Sequence, residues 1–179
     1  MGKQILILAG CPRKNGNSAA LCSAFARGAE ESGHQVETVF LRDRKISYCL
    51  ACYHCKNNNG VCIIKDDMGD ILDKINKSDA IVMASPVYFY SVDAQMKALI
   101  DRTVAQWLTI KNKEFYYIMT SAEESDTVMD CTLECLRGLA KCLKGSVERG
   151  VIYGKGVYAA GEIESRPAMQ EAYEMGRRV

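Results

Sequence analysis

Four cysteines, Cys49, Cys52, Cys55 and Cys62, stand in the spacing C-x2-C-x2-C-x6-C within a stretch rich in asparagine. Thiolates this close along a loop can converge on one centre, and such spacing can wrap a cubane iron–sulfur cluster or a zinc ion. Free or redox-sensing thiols are the other reading of the same residues. His54 falls inside the quartet and is read as a solvated side chain rather than a ligand. The chain has nine cysteines in all. In a reducing compartment these are packing residues, thiols or metal ligands rather than disulfides. Cys131, Cys135 and Cys142 recur with Val128, Leu139 and Leu143 at helical spacing and are expected in the core, as is Cys22.

A second candidate site lies near the amino terminus. Cys11-Pro12-Arg13-Lys14-Asn15-Gly16-Asn17-Ser18 joins an apolar run to the start of a helical pattern. Small and polar residues there can turn backbone N–H groups, a hydroxyl and an amide toward a phosphate. No GxxxxGK or GxGxxG occurs, which excludes the P-loop and the dinucleotide fingerprint. A phosphatase-type loop, with a cysteine after the first strand and an arginine six residues later, fails too, because the sixth position is Asn17. Cys11 is therefore read as a small residue at a buried edge, not a nucleophile. Asp66 and Asp67 read as a helix N-terminus rather than a catalytic carboxylate pair.

Strands and helices must position these loops. Gln4 to Ala9 is a continuous apolar run bounded by Gly10 and Pro12, as in a strand buried on both faces. Ser18 reads as the N-cap of a helix whose apolar residues recur until Gly33. Val36 to Leu41 reads as a second strand, and a long loop, Arg42 to Cys62, precedes a helix carrying Met68, Ile71, Leu72 and Ile75. Further strands are expected at Ala80 to Ala84, Phe115 to Thr120 and Val147 to Ile152, with helices at Asp93 to Thr103, Thr127 to Leu143 and Ala168 to Arg178. This alternation implies an α/β fold, a three-layer sandwich around a five-stranded parallel sheet in the flavodoxin-like order 2-1-3-4-5. Chemistry in such sheets sits beyond the carboxyl ends of the strands, so the loops after the first, third and fourth strands matter most.

The whole of residues 1–179 is expected to form one domain, large enough to bury a core without staples. A net charge of +1 gives no long-range field for nucleic acid or membrane surfaces and favours a small-molecule partner. No apolar run reaches the length of a signal peptide or membrane span, so a cytoplasmic location is expected.

The first loop resembles that of the NADPH-dependent FMN reductase group of flavodoxin-like proteins, usually Ser-Pro-Arg-x-x-Gly-Asn-Ser or Thr, with Cys11 in place of the serine. Ser85-Pro86-Val87-Tyr88-Phe89-Tyr90-Ser91, followed by Gln95, Met96, Lys97 and Leu99-Ile100-Asp101-Arg102, resembles the segment with which that group lines a flavin ring. The resemblance implies one bound FMN held by Cys11, Arg13, Asn17, Ser18, Pro86, Val87, Tyr88, Phe89, Tyr90 and Ser121. Ser121 belongs to a third loop, 120–126, which lacks the glycines common there in the group. NADH or NADPH is implied as the electron donor. The cysteine quartet is similar to that of the iron–sulfur flavoprotein branch, which implies a [4Fe-4S] cluster and a homodimer or homotetramer. Two functions follow from the resemblance: an oxidoreductase passing electrons from NAD(P)H through FMN to an acceptor, or an electron carrier exchanging single electrons with a ferredoxin-like protein. A thiol- or zinc-based interaction module without flavin is the reading from another class, which the two flavin-type loops disfavour.

Overall fold

Apolar runs decide the architecture. In the computed structural model, which describes residues 2–179 and so leaves Met1 outside the described residues, five strands run Gln4–Ala9 (β1), Gln35–Phe40 (β2), Ala80–Pro86 (β3), Glu114–Thr120 (β4) and Val147–Gly154 (β5). All neighbouring pairs are parallel, in the order β2-β1-β3-β4-β5. The helices are Asn17–Glu31 (α1), Met68–Lys77 (α2), Ala94–Arg102 (α3), Asp130–Cys142 (α4) and Ala168–Arg177 (α5). The expected flavodoxin-like order and α/β class are what the structure has.

Because β1, β3 and β4 lie inside the sheet, their side chains alternate between two cores rather than between core and solvent. Leu6, Leu8, Ile81, Met83, Phe115 and Tyr117 face α2, α3 and α4. Ile5, Ile7, Val82, Ala84, Tyr116 and Ile118 face α1 and α5. On this second side the Phe25 and Tyr116 rings meet edge to face at 5.3 Å.

Two expectations are corrected, and the reading of Asp66 and Asp67 as a helix N-terminus is borne out in finer detail. The first helix begins at Asn17 with Gly16 as N-cap, and Ser18 lies within its first turn. Asp67 occupies the N-cap position of α2 without a side-chain cap bond; it is Asp66 that reaches the Met68 amide, at 3.2 Å. The long helix is preceded by a 3-10 turn, Asp126–Met129, before α4 starts at Asp130. The buried stripe is Thr132, Leu133, Leu136 and Leu139, while Cys131 and Cys142 are exposed and Cys135 is half-buried. Cys22 is buried, as expected.

Helices α1 and α5 pack through reciprocal glycines. A Cβ on Gly28 would meet the Tyr173 carbonyl oxygen, and one on Gly176 would meet the Phe25 carbonyl oxygen. Backbone leaves no slack there, unlike the flexible end of a side chain. Gly28→Ala should therefore cost about 1–3 kcal/mol by forcing the helices apart. A urea midpoint equal to that of the parent protein would contradict this close approach.

Candidate functional site

Strand order reverses between β1 and β3, and the carboxyl edge of the sheet at that switch point is where such folds take their ligands. The first loop is pinned at its start by the Gly10 amide, which donates to the Ala84 carbonyl at 2.8 Å. It closes on a turn in which the Gly16 amide donates to the Arg13 carbonyl at 3.2 Å. At the N-terminus of α1, Gly16 makes no side-chain cap bond and the first turn contains no acidic residue. First-turn N–H groups and the positive end of the helix dipole thus lack a protein anion, which suits a phosphate.

The side chains of this loop divide by role. Cys11 and Ser18 are buried. Burial pushes the Cys11 thiol up, and the Arg42 charge and the Ser18 hydroxyl oppose this only in part. It stays protonated at neutral pH and is a poor nucleophile. Arg13 Nη1 donates to the Tyr158 carbonyl at 2.8 Å, and Asn17 Nδ2 donates to the Ala159 carbonyl at 2.9 Å. Asn17 Oδ1 accepts the Ile163 amide at 3.3 Å. Both residues, assigned to the phosphate from sequence, tie the first loop to the segment after β5.

Arg42 is a residue that sequence reasoning missed. It follows β2, the neighbour of β1, and its Nη1 lies 3.4 Å from the Cys11 carbonyl and 3.5 Å from the Arg13 carbonyl. Its sequence signal was a basic residue at the carboxyl end of the strand beside the cradle.

Pro86, the last residue of β3, is buried, and the Val87 amide after it donates to the Thr120 carbonyl at 2.8 Å. Tyr88 and Ser91 exchange two backbone hydrogen bonds, of 2.9 and 3.0 Å, around a two-residue turn. Its central residues, Phe89 and Tyr90, have φ of 49° and 61°. Left-handed backbone at two successive aromatic residues is strained, and Tyr88, Phe89 and Tyr90 are all exposed. Such a turn spends folding energy to present aromatic surface to solvent.

In the third loop, the Ser121 amide donates to the Gly154 carbonyl at 2.9 Å and its carbonyl accepts the Val157 amide at 2.9 Å. Its hydroxyl accepts the Glu123 amide at 3.1 Å. Glu124 is paired with Arg166 at 3.2 Å.

Cys49, Cys52, Cys55 and Cys62 line one cavity of about 320 Å³, together with Arg102 and Val104 from the end of α3 and the turn after it. Left-handed backbone at Ala51, Tyr53, Asn59 and Gly60 curls the loop around this space. The Ala51 amide donates to Cys49 Sγ at 3.5 Å. Among the described residues, no set of three or more His, Cys, Asp or Glu stands at metal-binding separation. Four cysteines lining one cavity are nevertheless a soft donor set, and their chemistry fits an iron–sulfur group or zinc.

The loop's base is held by charge. Arg102 grips Asp66 through Nη1 at 2.7 Å and Nη2 at 3.0 Å, and its Nη1 also donates to the Ser47 carbonyl at 2.8 Å. Asp66 Oδ2 accepts the Ser47 amide at 2.9 Å, and Asp67 Oδ2 accepts the Lys45 amide at 2.7 Å. Both ends of the loop are thus fastened at one place. Burial alone would raise the Asp66 pKa, but the Arg102 hydrogen bond and two backbone amides outweigh it and hold the carboxyl below its usual range. Burial likewise opposes the Arg102 charge, and Asp66 more than restores it.

Comparison with known proteins adds a family. Residues 4–129 match the model of the NADPH-dependent FMN reductases. The chain belongs to this family. Two iron–sulfur flavoproteins are similar within it. The one from Archaeoglobus fulgidus is 43% identical over 93 residues, which cover 52% of this chain and 42% of that protein. The one from Methanosarcina thermophila is 38% identical over 97 residues, which cover 54% and 50%. These matches span about half the length of the curated relatives. Among solved structures, NAD(P)H:quinone oxidoreductase from Methanothermobacter marburgensis is similar over 99% of this chain and 97% of its own, with a TM-score of 0.77 at 15% identity. An FMN-dependent NADH-azoreductase from Bacillus anthracis, in complex with FMN, covers 99% of both chains with a TM-score of 0.73 at 17% identity. At such identities the likeness is one of fold.

Asp66→Asn removes one partner of a buried ion pair and should cost about 3–5 kcal/mol. Since the folded Asp66 pKa is depressed, its contribution is complete above the unfolded carboxylate pKa and is lost as pH falls through the folded value. Denaturant titrations at neutral pH and at pH 3 should therefore show the gap between parent and variant narrowing in acid. A gap of constant size would remove Asp66 from this role.

Proposed function

We propose that the chain forms a single flavodoxin-like domain that binds FMN and works as an FMN-dependent oxidoreductase, passing electrons from NADH or NADPH to an acceptor. The observation that carries this reading is that the loops after β1 and β3, at the carboxyl edge of the sheet, offer an uncapped N-terminus of α1 and a strained turn that exposes Phe89 and Tyr90. A dianionic phosphate and a large planar ring are the two ends of FMN, and each finds a matching surface. FMN, when bound, accepts hydride from the nicotinamide and returns electrons to the acceptor. The protein's own part is to bind and orient. First-turn amides of α1 take the phosphate, the buried Cys11 and Ser18 shape the loop beneath it, and Arg42 fixes the loop carbonyls. Pro86 and Val87 anchor the aromatic turn, and Ser121 closes the site from the side of β4.

A second reading, an electron carrier exchanging single electrons with a ferredoxin-like protein, is favoured by the four thiols on one cavity. In that reading Cys49, Cys52, Cys55 and Cys62 hold a [4Fe-4S] cluster, which supplies one-electron chemistry when bound. Tyr48, Leu50, Tyr53, Val61 and Ile63 on the same loop are more than half exposed. That much apolar surface suits cover by a second copy, in a homodimer or homotetramer. No helix among the described residues is long and apolar enough to cross a membrane.

Absorption spectroscopy with flavin, iron and zinc analysis on anaerobically purified protein tests both cofactors. Bound flavin reduced rapidly by NADH or NADPH supports the reductase. Reduction only by ferredoxin, with about four irons per chain, supports the carrier. Failure to bind added FMN overturns both. Phe89→Gly relieves a left-handed aromatic residue, so the apo-protein should keep its stability or gain up to about 1 kcal/mol. FMN affinity should nonetheless fall about tenfold, or ~1.4 kcal/mol. Unchanged affinity by fluorescence titration would take Phe89 out of the flavin site.

A further inference from the structure

Arg102 is 2% exposed and lines the cavity that the four cysteines share. Its guanidinium is only partly used. Asp66 occupies the end formed by Nη1 and Nη2, and the Ser47 carbonyl takes a further proton of Nη1. The Nε–H, equally buried, has no hydrogen-bond partner. A buried donor on a charged group is seldom left unmade unless something outside the chain completes it. Of the residues at this cavity, Cys62 bears on Arg102 directly and helps to keep its charge. Asp101 is held by Lys97 at 2.6 Å, and Lys56 is an exposed cation lying 4.4 Å above the Tyr53 ring. The acceptors on the wall include the sulfurs of the quartet, among them that of Cys62.

We propose that Arg102 tunes the group held by the quartet, donating its Nε–H to a sulfur of that group and placing a buried positive charge beside it. The inference rests on the reading that Cys49, Cys52, Cys55 and Cys62 hold an iron–sulfur cluster. A cluster bound by four thiolates is anionic and becomes more so on reduction, and both net charge and hydrogen bonds to sulfur set its potential. Arg102 stabilises the reduced state and raises the potential. The same side chain fastens the loop through Asp66, so holding the quartet in place and setting its charge fall to one residue. Lysine at this position keeps the charge but cannot offer Nε–H from a fork whose other edge is spent on Asp66.

The test uses protein carrying side-chain 15N-arginine, loaded anaerobically with iron and sulfide, chemically reduced, and studied by pulsed EPR. Arg102 is the arginine that lines the cavity, so a weak 15N coupling to the cluster in the parent protein is the expected result. In Arg102→Lys that coupling disappears, and at the parent's midpoint the reduced-to-oxidised ratio falls about tenfold, which for a one-electron couple is about 59 mV. A loaded parent cluster without 15N coupling overturns the proposal and leaves the cluster reading intact, whether or not the lysine variant folds. A coupling or a midpoint that is the same in Arg102→Lys does likewise. Parent protein that takes up no iron overturns the cluster reading and this inference with it.

Discussion

Asp93 fills the space that a side chain at position 10 would require. Its carboxylate stands where a Cβ on Gly10 would be, it caps α3 by accepting the Met96 amide at 3.0 Å, and it accepts the Ser85 hydroxyl at 2.8 Å. The loop after β1 and the loop after β3 are thereby pressed onto one buried acid. Burial raises the Asp93 pKa, and the donors around it offset part of that cost. Gly10 is thus fixed by an atom on another element as well as by its own turn. The spacing of the two loops at the switch point is held by this packing.

The same helix carries the second anchor. α3 runs from the Asp93 cap to Arg102, nine residues or about 13 Å of helix axis. One end braces the two loops at the switch point and the other grips Asp66 at the base of the cysteine loop. That loop has little else to hold it, since many of its large apolar side chains point to solvent and its backbone bends through left-handed positions. Polar fastening at Lys45, Ser47, Asp66 and Asp67 closes the loop at its base and leaves the thiols above it free of core packing. An ion pair suits such a task better than an apolar contact would. It fixes direction as well as proximity, and its loss leaves a buried charge unpaired.

Much of this was legible in the sequence, for reasons that can be assigned residue by residue. A strand buried on both faces is apolar without interruption, so Gln4–Ala9 appears with its observed bounds, and the strand order follows from alternation and handedness. Reading helical phase was less secure. The stripe through Cys131, Cys135 and Cys142 is periodic, but so is the one through Leu133, Leu136 and Leu139 that the core takes, and periodicity alone does not choose between neighbouring stripes of one helix. Ser18 has the side chain of an N-cap, yet Gly16 holds that position because the turn closes one residue pair earlier. Asp66 looked like an element of a helix start, and Arg102 like the end of a family motif. Their pairing spans residues far apart in the chain, and nothing local announces it. Arg42 was invisible for the same reason, since its role depends on β2 lying beside β1.

On the proposed reading, the first loop can hold a ligand without spending its charged residues on it. Arg13 and Asn17 both reach across to the segment at 158–163 and bond its backbone. The N-terminus of α1 carries no side-chain cap, and its amides and dipole are fixed by the helix itself. On the proposed reading, binding a phosphate there needs no reorganisation of those amides, and the neighbouring arginines hold the walls. Arg13 could turn to the phosphate only by releasing the Tyr158 carbonyl. The segment after β5 and the cradle are therefore coupled through one guanidinium, and a ligand that drew Arg13 inward would loosen the wall on that side. An anion held by backbone amides alone keeps both walls in place, which is the arrangement the observed hydrogen bonds favour.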